Sequence, residues 1–232
     1  MDLQDTGGKG TPVVFLHAAT GHGGMWEHHL PAFAAAGYRC IAFDRSAEGF
    51  ASDQLEALAA KLALPRFHLV GTAAGAIIAV DYALSHAPRL RSLVLANTIV
   101  GVQDADYLEM SQRLRPSPQF DKMPADFREL GPSYRAANAE GTKRWNALAK
   151  AKPRVSYTTR NRITYAALET IKLPTLLLTG DADLYMPPSV LRLFAARIKG
   201  SESAVLPECG HSAYWEQPEL FNRAVLGFLK KS

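Results

Sequence analysis

Cysteine is scarce: the 232-residue chain has two, Cys40 and Cys209, neither in a Cys-x-x-Cys nor in a Cys/His metal spacing. That excludes a disulfide framework and points to two reduced, buried thiols. Long apolar runs are missing as well. Stretches such as Leu93–Ala96 and Leu176–Leu178 fall far short of the ~20 residues that span a bilayer, so no transmembrane helix is expected. The polar, glycine-rich start from Met1 to Gly10 lacks the basic-then-apolar order of a secretory leader, and the expected location is cytoplasmic. Blocks of like charge are absent too. Of 26 Lys and Arg, 12 fall between Gly101 and Tyr165 against 7 acidic residues, leaving 14 against 15 elsewhere. The net charge of +4 is therefore local, which argues against a nucleic-acid or membrane partner. A small-molecule substrate is the expected partner, a homodimer is the one assembly left open, and neither cofactor nor metal is implied.

What is present is an ordinary globular composition, 47% hydrophobic and 21% charged, enough for one sizeable core. Short apolar, β-branched runs at Val13–His17, Tyr38–Phe43, Phe67–Val70, Leu90–Ala96 and Pro174–Leu178, with a weaker one at Ala204–Leu206, read as strands. Helical patterns cover Gly24–Ala36, Asp53–Leu62 (with Ser52-Asp53 as N-cap and Pro65 beyond its end), Ala74–His86 and Pro218–Leu229. Strands alternating with such helices imply an α/β fold with a mostly parallel, doubly wound sheet of about six strands, and ligands bind outside the carboxyl ends of those strands. The stretch from Gln103 to Leu168 breaks the alternation with prolines, short helices and mixed charge. It reads as an inserted helical cap (residues 103–168) on a core formed by residues 1–102 and 169–232.

The informative motif is Gly71-Thr72-Ala73-Ala74-Gly75, set between a strand and a helix. That is the place of a nucleophile elbow, Gly-x-Ser-x-Gly, whose glycines make room for a strained apex residue. Here the apex is Ala73, which has no oxygen to attack a carbonyl. Gly180-Asp181-Ala182-Asp183 and Cys209-Gly210-His211 follow later strands, giving the chain order nucleophile, acid, base.

With these motifs the chain resembles α/β-hydrolase-fold enzymes of the group that includes β-ketoadipate enol-lactonase and the meta-cleavage product hydrolases. The matching residues are Val14-Phe15-Leu16-His17, the elbow, Ser92 to Asn97, Thr179 to Asp183, and Gly210-His211 with Glu216-Gln217-Pro218-Glu219. The resemblance implies Asp183 as the acid that orients His211, and His211 as the general base for a serine or a water. It also implies an oxyanion hole from the backbone N–H groups of Ala19 and Ala74, donors that do not depend on the serine. Three departures stand out. The segment before His17 is too short for the usual first two strands, the loop from Asp44 to Ser52 is shortened, and the elbow serine is missing.

Other residues are weighed against plainer roles. Asp181 is the fallback acid but reads as a turn residue. Thr72 and Cys209 lie close to the apex and to His211, yet each is shifted off the nucleophile position. His22, His28, His29, His68 and His86 have no catalytic context. Among the cap basics Arg113, Arg115, Arg128, Lys143, Arg144, Arg160 and Arg162, most read as solvated helix faces, while one or two turned inward would bind a substrate carboxylate bidentately. Arg160 and Arg162, with Trp145, are the expected substrate-binding residues. Tyr134 and Tyr165 are further aromatics of the cap underside or its core. Three readings of Ala73 follow. One is an esterase- or lactonase-like hydrolase, or one cleaving C–C bonds, whose serine was replaced to leave an inactive form. Another is an enzyme that naturally lacks the serine and uses His211 on water or, as a lyase or isomerase, on a carbon acid. The last is a non-catalytic ligand-binding protein on a hydrolase scaffold.

Overall fold

Residues 2–155 and 157–232 are described by a computed structural model. Met1, the first residue of the polar N-terminal stretch and of the expected core, and Ser156, within the expected cap, lie outside them. The apolar runs become strands because burying both faces rewards continuous hydrophobic sequence. Among the described residues, seven strands form the sheet: β1 (Leu3–Asp5), β2 (Pro12–Leu16), β3 (Arg39–Phe43), β4 (Phe67–Thr72), β5 (Leu90–Ala96), β6 (Thr175–Gly180) and β7 (Glu202–Leu206). Their order is β1-β3-β2-β4-β5-β6-β7, and all neighbours run parallel except β1, which pairs antiparallel with β3 through Leu3 opposite Phe43.

The seventh strand adds one to the expectation of about six. Leu-Gln-Asp is exposed at every position, so it carries no burial pattern. It is held by the free edge of β3, where Thr6 N donates to Cys40 O at 3.0 Å and Cys40 N donates to Thr6 Oγ1 at 2.9 Å.

Among the described residues, eleven α-helices accompany the strands: α1 (Leu30–Ala35), α2 (Ala51–Lys61), α3 (Ala74–His86), α4 (Ala105–Arg113), α5 (Ala125–Glu129), α6 (Pro132–Ala137), α7 (Ala139–Ala151), α8 (Tyr165–Glu169), α9 (Pro188–Arg197), α10 (Ala213–Glu216) and α11 (Pro218–Leu229). Alternate residues of β2 separate the two layers of core. Val14 and Leu16 pack with Leu55, Ile78, Val190 and Phe194 from α2, α3 and α9. Val13 and Phe15 pack with Phe33, Phe221, Val225 and Phe228 from α1 and α11. The expected helix over Gly24–Ala36 is divided into a 3-10 turn at Gly23–Trp26 and α1, with Pro31 at the start of the second piece, where its missing N–H costs nothing. Among the described residues, no helix is long and apolar enough to cross a membrane.

Strand order reverses at β2, which lies between β3 and β4. A reversal opens a crevice outside the carboxyl ends of the flanking strands, here between the loop after β2 and the turn from β4 into α3. The two elements touch at Gly75, where a Cβ would overlap the carbonyl oxygens of Leu16 and His17. Gly75→Ala is therefore expected to destabilise the fold by about 1–3 kcal/mol through overpacking against rigid backbone, read as a lower urea midpoint at unchanged slope; an unshifted midpoint would contradict this close packing.

Candidate active site

The turn from β4 into α3 puts Ala73 at φ 49° and ψ −117°. This region is strained for a residue with a side chain and is typical of functional sites. Ala73 N donates to Ala96 O at 2.9 Å, which ties the turn to the end of β5. Ala73 and Ala74 line a cavity of about 390 Å³ together with Ala18, Ala19 and Thr20 from the loop after β2, and with His211.

His211 and Asp183 meet over this turn. Nδ1 of the imidazole lies 2.9 Å from each carboxylate oxygen of Asp183, which leaves Nε2 as the free nitrogen of the ring. Asp183 is buried and held on both oxygens. Oδ1 accepts from the backbone N–H of Tyr185 at 2.8 Å and of Met186 at 2.9 Å. Oδ2 accepts from Asn97 Nδ2 at 3.0 Å. Thr179 Oγ1 stands 3.1 Å from Oδ2 and 2.7 Å from Met186 O, so its single proton is shared between them. Burial pushes the Asp183 carboxyl up, but the His211 charge and these donors outweigh it and hold it below the ordinary value. For His211, burial works downward, and the Asp183 charge and hydrogen bond reverse the sign and leave it raised.

Asn97 also donates to Gly210 O at 3.1 Å and adopts φ 48°, a conformation Asn tolerates better than most residues. Its amide thus fixes both Asp183 and the loop that carries His211. Behind the loop after β2, the buried Arg45 donates from Nη1 to His17 O at 2.5 Å. His17 Nδ1 stands 2.7 Å from Ala18 O, and burial with the nearby Arg45 charge lowers its imidazole to about 3, so the ring is neutral.

The segment between β5 and β6 closes the cavity with Arg115, Asp121, Arg128, Glu129, Arg154 and Tyr157, and Tyr185 stands beside them. The Arg115 guanidinium lies 4.7 Å from the Tyr185 ring centroid, and the Tyr185 ring centroid is 4.5 Å from that of His211. Arg128 donates to Met123 O at 3.0 Å and to Tyr185 OH at 2.5 Å. Glu216 ties this segment to the loop that carries His211: its carboxylate accepts from Gly131 N at 2.7 Å and Gly210 N at 3.0 Å.

The placement of Arg160, Arg162 and Trp145 corrects the sequence reading. Arg160 is exposed, forms an ion pair with Asp53 and lies over Phe50, with 4.4 Å from its guanidinium carbon to the ring centroid. Arg162 is exposed, and neither lines the cavity. Trp145 is fully buried in the core cluster with Leu130, Tyr214 and Trp215, because a large apolar face on α7 gains more from packing than from lining an open site. Thr72 is buried outside the cavity lining, Cys209 is buried with its thiol pushed up by burial, and Asp181 is an exposed turn residue accepting from Cys209 N at 3.3 Å. Arg115 and Arg128 were within reach of the sequence reading as cap basics, and Asn97 lay in a matched strand. Arg154, Glu129 and Tyr185 carried no local signal. Among the described residues, no three His, Cys, Asp or Glu side chains converge as metal ligands.

The electrostatic coupling is directly checkable. In Asp183→Asn the carboxylate charge is lost while burial remains, so the His211 imidazole, raised in the parent, is expected to titrate below 6.5. The raised parent value stabilises the fold fully below pH 6.5, and that contribution is lost as pH rises through the folded midpoint. Titration of the His211 ring by NMR tests the shift, and an unchanged midpoint would refute the coupling.

A family model for alpha/beta hydrolases matches residues 13–224. A candidate non-heme bromoperoxidase of Mycobacterium tuberculosis is 30% identical, with 97% of this chain and 95% of that protein covered. A 2-hydroxy-6-oxononadienedioate/2-hydroxy-6-oxononatrienedioate hydrolase of Burkholderia vietnamiensis is 27% identical over 98% of this chain and 90% of its own. The crystal structure of an enol-lactonase from Burkholderia xenovorans superposes with a TM-score of 0.78 at 18% identity, covering 99% of this chain and 96% of that one, a likeness of fold. With sheet order, elbow and family match in agreement, the chain belongs to the alpha/beta hydrolase family.

Proposed function

We propose that this hydrolase-family chain hydrolyses a small, carboxylate-bearing ester, lactone or C–C substrate without a covalent intermediate, with Asp183 and His211 as the acid/base pair and Ala73 in the place of the nucleophile. The observation that carries the reading is the assembled pair: His211 bonds Asp183 through Nδ1 at 2.9 Å, keeps Nε2 for chemistry, and lines one cavity with Ala73. A base so placed takes a proton from water as the water attacks a carbonyl. The backbone N–H groups of Ala19 and Ala74, both cavity-lining residues, are the proposed oxyanion donors, and they need no serine.

The substrate class is supported by charge. Arg115, Arg128 and Arg154 stand in one cavity lining, and an arginine fork matches a carboxylate bidentately. They replace Arg160 and Arg162 in that role. The relative from Burkholderia vietnamiensis is named for dioate substrates, which are dicarboxylates.

Two experiments test the reading. On carboxylate-bearing aryl esters, lactones and 2-hydroxy-6-oxo dienoates, turnover by the chain is expected to fall about 100-fold or more in His211→Ala; turnover indifferent to His211 would refute the role of the pair, and inertness of the chain would leave ligand binding as its function. Arg128→Met is expected to raise KM for carboxylate-bearing substrates far more than for neutral ones, and equal KM changes would remove the arginine from recognition.

A second reading is favoured by the elbow itself, which keeps its strained φ and its glycines around a residue with no hydroxyl. Ala73→Ser is expected to be acylated by a fluorophosphonate probe and to show a burst with aryl esters, whereas the unsubstituted chain is not labelled. A serine variant that resists the probe would show that His211 does not reach the apex.

A further inference from the structure

A buried carboxyl normally pairs with a cation or accepts several hydrogen bonds. Glu129 does neither well. It is 7% exposed, and its carboxyl meets Thr20 Oγ1 at 3.4 Å, the outer limit of a hydrogen bond. Its backbone is fixed, because Glu129 O accepts from Ser212 N at 2.8 Å, and Ser212 follows His211. The residue is therefore anchored to the His211 loop by its main chain and turned toward Thr20, next to Ala19, by its side chain. It lines the same cavity as His211, Ala73 and Ala74.

Resting on the water-activation reading above, we propose that Glu129 is the second proton-transfer group of this site, a general acid that protonates the leaving oxygen while His211 deprotonates the attacking water. With a serine nucleophile the two proton transfers are separated by the acyl-enzyme, and one histidine serves both in turn. Above Ala73 both belong to one tetrahedral species. A second proton carrier then serves the leaving side without reorientation of the imidazole.

The balance closes. Water oxygen bonds to the carbonyl carbon as its proton passes to His211 Nε2. The bond from that carbon to the leaving oxygen then breaks, and that oxygen takes the Glu129 proton. One ester and one water give one acid and one alcohol. The imidazolium and carboxylate left in the cavity are reset by proton return through solvent.

The charged and titratable groups facing Glu129 are His211, Arg128, Asp183 and Arg154, with Tyr185 and Tyr214. Burial is the largest influence and pushes its carboxyl above the ordinary range, against the pull of His211 and Arg128. That direction favours the protonated form, which is the form a general acid uses.

The test compares the full chain, Glu129→Gln and His211→Ala on two carboxylate-bearing esters that differ in leaving group, p-nitrophenolate and ethoxide. Glutamine keeps the size of the side chain and an oxygen that accepts from Thr20 Oγ1. Glu129→Gln is expected to lower kcat/KM for the ethyl ester by about 100-fold or more, while the aryl ester, whose leaving group needs no proton, changes by less than about threefold. Equal losses on both esters, or none on either, overturn the acid role while His211-dependent turnover keeps the underlying reading intact. Inertness of the chain toward both esters, or turnover indifferent to His211, overturns the underlying reading and the acid role together. Independently of turnover, infrared difference spectra of the chain against Glu129→Gln are expected to show a protonated carboxyl C=O band at neutral pH, and its absence overturns the proposal.

Discussion

The organisation of this site depends on one buried charge. A carboxylate taken out of water costs several kcal/mol unless donors replace its hydration, and Asp183 is fully lodged in protein. Its donors come from Asn97 at the end of β5, Tyr185 and Met186 in the loop after β6, and His211 in the loop after β7. Three successive strand ends are thereby drawn to one point. Because Asn97 also holds Gly210 O, the acid and the loop bearing the base share one clamp, and the imidazole orientation is a consequence of satisfying Asp183.

The elbow is a second constraint. A non-glycine residue at φ 49° carries strain of about 1–3 kcal/mol. In this chain the strain presents only a methyl group. What it still does is architectural. It starts α3 at the end of β4 and keeps the Ala73-Ala74 peptide at the cavity wall, opposite the loop after β2.

The segment between β5 and β6 shapes the rest of the pocket, and its attachment is polar. Glu216 accepts from Gly131 N on one side and Gly210 N on the other, while burial presses its carboxyl up to about 7 against the pull of backbone donors at Gly131, Gly210 and Ser212. The pair Glu129 O and Ser212 N adds a second link. The walls of the pocket are thus referenced to the loop that carries His211.

The sequence alone determined what local rules encode. Continuous apolar runs marked β2 to β6 because parallel strands bury both faces, the edge strand β7 showed only a weaker run and is largely unburied, and α3 and α11 follow the predicted spans Ala74–His86 and Pro218–Leu229 because their apolar content and flanking residues agree. The elbow, Asp183 and His211 were legible because each sits in a short motif directly after a strand. Tertiary structure alone decided the rest. β1 is three exposed residues, Leu-Gln-Asp, invisible until the edge of β3 offers hydrogen bonds. Arg160 and Arg115 are alike as sequence, both basic residues of one irregular segment, and only packing sends the first to Asp53 and the second to the cavity. Glu129 reads as one more helix-end acid. Its character comes from burial and from neighbours brought in by α5, the loop after β2 and the His211 loop, and no window of sequence contains all three.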